Sequence, residues 1–168
     1  MIFFSNRVKT LKLGGQQLEL FEEAKNDIKD YLGEIYSSQL SGIISTEVLS
    51  IPIGKDKSID FDHYIEIYNK AVKYKLINKL KPRLLDAIDV VIEKQEHLLA
   101  AYSQKQIDES QKKTMSNKDK IEEYKKSADY TVALKHLGSM IKNEKHCEEL
   151  LNNSISNYIK LVEIRENL

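Results

Sequence analysis

Between Asn69 and Leu85 the chain reads NKAVKYKLINKLKPRLL, with Lys70, Lys73, Lys75, Lys79, Lys81 and Arg83 and no acid. Lys75, Lys79 and Arg83 stand at i, i+4 and i+8, which makes one ridge on any helix that runs through them. Tyr68 and Tyr74 lie nearby in sequence. Cations beside an aromatic ring suit phosphates or an acidic protein surface. Lys70, Lys73, Lys75, Lys79, Arg83, Tyr68 and Tyr74 are therefore the candidate partner-binding residues. The plainer reading is a solvated lysine face paired with glutamates of a neighbouring helix, because no other stretch resembles a nucleic-acid motif.

Other reactive residues make weaker patterns. Asp86, Asp89, Glu93 and His97 share one helix face. Such a stripe can hold a divalent cation if a second helix adds carboxylates, but more often it is a solvated face with pairing four residues apart. A metal site inside a helical bundle wants Glu-x-x-His pairs. Three residues before His97, His136 and His146 stand Lys94, Ala133 and Asn143. Asp60 precedes His63 at that spacing, yet it sits where a helix should start and reads better as a cap. His136 has Gly138 close by, as a phosphotransfer histidine would want, but the order of its neighbours does not match. Cys147 directly follows His146, and adjacent helical residues diverge by about 100°, so the two make no nucleophile–base pair. A partly buried thiol is expected. Gly14-Gly15 lacks the spacing of a phosphate loop. No catalytic residue, metal ligand or cofactor site is assigned.

The chain has 168 residues, 26 basic and 26 acidic, for a formal net charge of zero. Any electrostatic function must come from local patches. The length suits one domain. One cysteine forms no internal disulfide, no run is apolar enough to span a membrane, and the start is too short in apolar residues for a signal peptide. A soluble cytoplasmic protein is expected.

Proline occurs at Pro52 and Pro82 only, and glycine six times, so long helices are expected. Two readings compete at the start. A Gly14-Gly15 loop would set Leu11, Leu13, Leu18 and Leu20 on one face of a small β-hairpin within residues 1–20. Alternatively a helix begins at Gln16, since Leu18, Phe21, Ile28, Leu32 and Ile35 keep helical spacing. The hairpin is the expected form, followed by a helix over 21–44. Gly33 inside that helix points to close packing. Residues 45–60 read as a loop.

A long helical hairpin follows, 61–113 against 118–167, with a kink or break at Pro82. Its first arm carries the seam Leu84, Ile88, Val91, Gln95, Leu98, Tyr102. Its second carries Leu137, Ile141, Glu144, Glu148, Leu151, Ile155, Tyr158, Val162. Ser116 or Asn117 should cap the second arm. Gly138 and the stretch after it are candidate interruptions of that arm. The expected architecture is mainly α: residues 1–168 as one elongated antiparallel bundle with coiled-coil seams.

The expected function is a non-catalytic protein–protein interaction module, an adaptor, assembly or regulatory subunit, acting on a protein partner or through self-association. The alternatives are a nucleic-acid-associated protein using the basic ridge over residues 70–83, and an all-α enzyme with a metal on the acidic stripe.

Overall fold

With so little proline and glycine, almost nothing in the chain opposes helix formation, and the protein is mainly helical. The computed structural model describes residues 14–45, 59–103, 114–138 and 141–168. They form α1 (Gly14–Ser45), α2 (Ile59–Lys73), α3 (Ile77–Ala100), α4 (Asn117–Lys126), α5 (Tyr130–Leu137) and α6 (Glu144–Asn167). Among the described residues there is no strand, only an isolated bridge between Ser103 and Ala128.

The expected hairpin is not found. Residues 16–20, its second arm, lie inside α1; residues 8–13, its first arm, lie outside the described residues. Gln, Leu and Glu favour helix, and two strands without a third are marginal. The helical spacing also continues without a break into Leu32, Ile35, Tyr36, Leu40 and Ile43, which pack in the core.

The first arm of the expected long hairpin breaks at Tyr74–Leu76, not at Pro82. The Lys75 N–H donates to the Val72 carbonyl at 3.1 Å, and the Leu76 N–H to the Ala71 carbonyl at 2.8 Å. This paired closure is a Schellman motif, which needs a left-handed residue where Lys75 stands. Lys75 has φ +58°. Leu76 and Ala71 are both buried, supplying the apolar contact that accompanies the motif. Leu76 is also the residue before α3, and no side chain caps that helix. A polar cap there would vacate the core. Pro82 then lies inside α3. It cannot donate to the Asn78 carbonyl, but both residues are exposed, so water can take that acceptor.

A lysine at a left-handed position costs about 1 kcal/mol against glycine. Lys75→Gly is therefore expected to raise the thermal midpoint by about 2–4 °C. Calorimetry checks this; a lowered midpoint would mean that the lysine side chain contributes more than its backbone costs.

The second arm is three helices. Ser116 caps α4 as expected, its hydroxyl accepting from the Asp119 N–H at 3.2 Å. Asp129 then caps α5, accepting from the Thr131 and Val132 N–H groups at 2.7 and 3.1 Å. Gly138, at φ +52°, follows the end of α5. Asn143 starts α6 by accepting from the His146 N–H at 2.9 Å. The expected seam through Glu144 and Glu148 therefore fails: both are exposed, and the buried line on α6 is Cys147, Leu151, Ser154, Ile155, Tyr158 and Leu161.

Two apolar clusters fill the interior. One joins the C-terminal part of α1 with α2, the first half of α3 and Leu161. The other joins Leu99, Tyr102, Tyr124, Ala133, Leu137 and Ile141 with Cys147, Leu151, Ile155 and Tyr158. α3 and α6 contribute to both. On α3 the expected seam is buried at Leu84, Ile88, Val91 and Gln95, with Leu99 taking the place of Leu98, and Tyr102 is buried in the turn that follows. The side-chain pairs Asp89–Arg165 and Glu96–Tyr158 advance in opposite senses, so these two helices are antiparallel.

Candidate interaction surface

The basic run falls on the end of α2, the turn and the start of α3. Because Lys75 lies in the turn, the helical ridge Lys75–Lys79–Arg83 does not form as one line. Lys70 bonds Glu66 one turn earlier. That pairing holds the Glu66 carboxyl below the usual carboxylate range, chiefly through the hydrogen bond, and pushes Lys70 up. Lys79 reaches Asp30 of α1 at 2.6 Å. Gly33 makes room for it: a Cβ there would lie 2.9 Å from the Lys79 Cε. The glycine expected to mark close packing thus accommodates a lysine stem crossing α1.

Lys73, Lys75, Lys81 and Arg83 are exposed, and none of them has a carboxylate partner among the described residues. The Lys73 ammonium sits 5.5 Å from the centre of the Tyr74 ring, a cation–π contact of modest strength at an exposed site. Tyr74 is 38% exposed and Val72 51%. Tyr68 stands apart from this group: it is half-buried and stacks on Tyr64 with centroids 6.5 Å apart. The structure thus spreads six of the seven candidate residues over the end of α2, the turn and the first two turns of α3, and packs Tyr68 against the core.

The acidic stripe is divided. Arg165 of α6 bonds Asp89 through its Nε. His97 lies 3.8 Å from Glu93, and Asp86 is exposed. Among the described residues no group of three or more His, Cys, Asp or Glu comes together as metal ligands would. Cys147 is buried, and burial pushes its thiol up, with Glu144 and Asp129 adding to the effect. That is opposite to the activation a nucleophilic thiolate needs. The Nδ1 of His146 accepts the Lys142 N–H at 3.2 Å.

Two polar arrangements gave no clear sequence signal. Lys94, 7% exposed, bonds Asp60 at 2.7 Å, so Asp60 ties α2 to α3 rather than capping its own helix. The one hint was a lysine beside Gln95 on an apolar seam. Glu96 receives Lys120 at 2.8 Å and the Tyr158 hydroxyl at 3.0 Å. Asn117 also accepts from that hydroxyl, at 3.2 Å. Burial first, then the Glu96 charge, pushes the Tyr158 phenol up. These residues line a cleft of ≈ 260 Å³ between α3, α4 and α6, together with Ile92 and Val162. Its charged groups bond one another across the helices, as a clamp would.

A third exposed region is the early part of α1. From Glu23 to Tyr31 no residue is buried, and the next buried one along the helix is Gly33. Within that stretch Ile28 is 45% exposed and Tyr31 62%. No helix among the described residues is long and apolar enough to cross a membrane. No protein-family model, no curated protein and no solved structure matches the chain.

Proposed function

We propose that this protein is a non-catalytic helical module that binds another protein, or a second copy of itself, as an adaptor, assembly or regulatory subunit. In this reading residues 1–168 act as one elongated antiparallel bundle in the cytoplasm. The observation that carries it is the early part of α1. The helix has 32 residues, about 48 Å at 1.5 Å per residue. Its neighbour α2 has 15, about 22 Å. Among the residues of α1 whose burial is described, those from Leu32 onward join the core and residues 23–31 do not. A helix segment that buries few of its own apolar side chains is marginal unless something packs on them. Ile28 and Tyr31 are such positions, large and more than a third exposed. Aromatic and branched anchors of this kind supply most of the energy at protein interfaces.

The test is a pull-down of the tagged full-length chain from native lysate, with and without nuclease, repeated with the Ile28→Glu/Tyr31→Glu variant. The expected result is a stoichiometric protein that survives nuclease and is lost in the variant. The variant's own stability should change by no more than about 0.5 kcal/mol, since both sites are exposed. Proteins that vanish with nuclease, with nucleic acid co-purifying, would favour the alternative reading through the basic run.

A further inference from the structure

We propose that the α2–α3 turn is a docking site for an acidic peptide segment of a partner protein, one that carries an apolar anchor residue. The proposal rests on the interaction-module reading and names the partner's chemistry. Lys73 and Lys75 stand exposed at the turn, and Lys81 and Arg83 on the second turn of α3 beyond it, all four with no carboxylate partner among the described residues.

Helix stability explains only part of this clustering. Lys70 and Lys73 lie in the last turn of α2, where the helix dipole favours positive charge. The first turn of α3 holds Lys79 and no acid, although the dipole there disfavours cations, and Lys81 and Arg83 follow one turn on. Lys75 occupies a backbone position that favours glycine. Lys79 is offset by its pairing with Asp30, but Lys75 breaks a local preference with no carboxylate partner among the described residues, as a residue kept for another purpose would.

The apolar residues decide the class of partner. Val72 and Tyr74 are exposed beside the cations, with Lys73 over the Tyr74 ring. An aromatic and a valine within a charged rim match the anatomy of a protein interface. Nucleic acid is less suited. Only one of the four cations is arginine, so planar bidentate recognition of phosphate is largely absent. A duplex or membrane also faces more than one turn. Exposed Asp62, Glu66 and Asp86 lie on the same two helices and Asp30 on the adjoining α1, and the net charge of the chain is zero. A short peptide meets the turn alone, within one Debye length of its cations.

The experiment uses the full-length chain and fluorescence anisotropy. The probes are a labelled peptide of glutamates with one central leucine, the same peptide with glutamine for glutamate, single-stranded DNA, and phosphatidylserine vesicles. The acidic peptide should bind, more weakly as salt rises, while the glutamine peptide should not. Lys75→Glu/Arg83→Glu should weaken binding about tenfold or more, and Val72→Ser several-fold. Lys75→Gly should weaken peptide binding while raising the thermal midpoint, a combination that a purely structural lysine would not give.

Equal binding of the two peptides, unchanged affinity in the charge-reversal variant, or tighter binding of DNA or vesicles would each overturn the proposal. If the Lys75→Glu/Arg83→Glu variant still captures a partner that depends on Ile28 and Tyr31, and its peptide affinity is unchanged, this proposal falls and the module reading stands. If no peptide binds and no nuclease-resistant protein is captured, both fall.

Discussion

Asp60→Ala is expected to destabilise the protein by about 3 kcal/mol, because it strands a buried ammonium. The Lys94 side chain is 8% exposed and its partner Asp60 25%, with 2.7 Å between Nζ and Oδ2. Removing the carboxylate leaves the lysine without its counter-charge beside Gln95 and Val91, both buried. It also removes an acid from the first turn of α2, where the dipole favours one. Asp60→Asn should cost less, since an amide oxygen can still accept. Replacing both partners, Asp60→Leu with Lys94→Met, should return most of the loss, because apolar groups of similar volume avoid the desolvation penalty altogether. Urea unfolding gives the comparison, provided the slope is unchanged between variants. Should the single and double replacements each cost under about 1 kcal/mol, the pair is peripheral to stability.

Tyr64→Ala should cost about 4 kcal/mol, in the range for emptying a large buried site. Tyr64 is fully buried where α2 meets α3. Its hydroxyl donates to the Leu84 carbonyl at 3.3 Å, and its ring stacks on Tyr68 at an interplanar angle of 14°. Tyr64→Phe keeps the ring and loses one long hydrogen bond, so about 1 kcal/mol is expected. The pair of variants separates packing from hydrogen bonding.

Alkaline pH adds a second readout. Burial, with Tyr68 and Asp89 adding to it, holds the Tyr64 phenol protonated well above the usual tyrosine range. Its stabilising contribution is full below about pH 10, where the unfolded phenol titrates, and is lost as pH rises towards the folded value. Burial pushes Tyr102 up to about 12, so it should act in the same direction. Tyr64→Phe should therefore lose less stability than the parent between neutral pH and the alkaline range. Parallel curves would show that Tyr64 ionises freely in the folded state.

Much of the helical content was legible because it depends on local preference and spacing. The Ser116 cap and the buried line Leu84–Ile88–Val91–Gln95 were readable from residue types and a period near 3.6. The N-terminal segment misled because Gly-Gly and alternating leucines also satisfy a two-residue turn. The break at Lys75 was hidden for the opposite reason. It contains no Gly, Pro or Asn, and it is closed by backbone hydrogen bonds and by Leu76 fitting into the core. Asp129 went unnoticed as a cap because an apolar pattern continues past it, although Asp is a strong N-cap type.

The candidate surface divides along the same line. The sequence by itself determined the acid-free run from Asn69 to Leu85 and the helical character of the chain around it, since composition and near-neighbour spacing suffice for both. Only the tertiary structure decided which of those charges remain uncompensated. Lys79 meets Asp30 across 49 residues, and Asp60 finds Lys94 across 34. Tyr68 packs against the core, while Val72 and Tyr74 remain exposed. Such pairings depend on which helix faces lie against each other and on how far each helix extends past its neighbour. Those distances are set by packing between residues remote in sequence, so a pattern that repeats every few residues does not contain them.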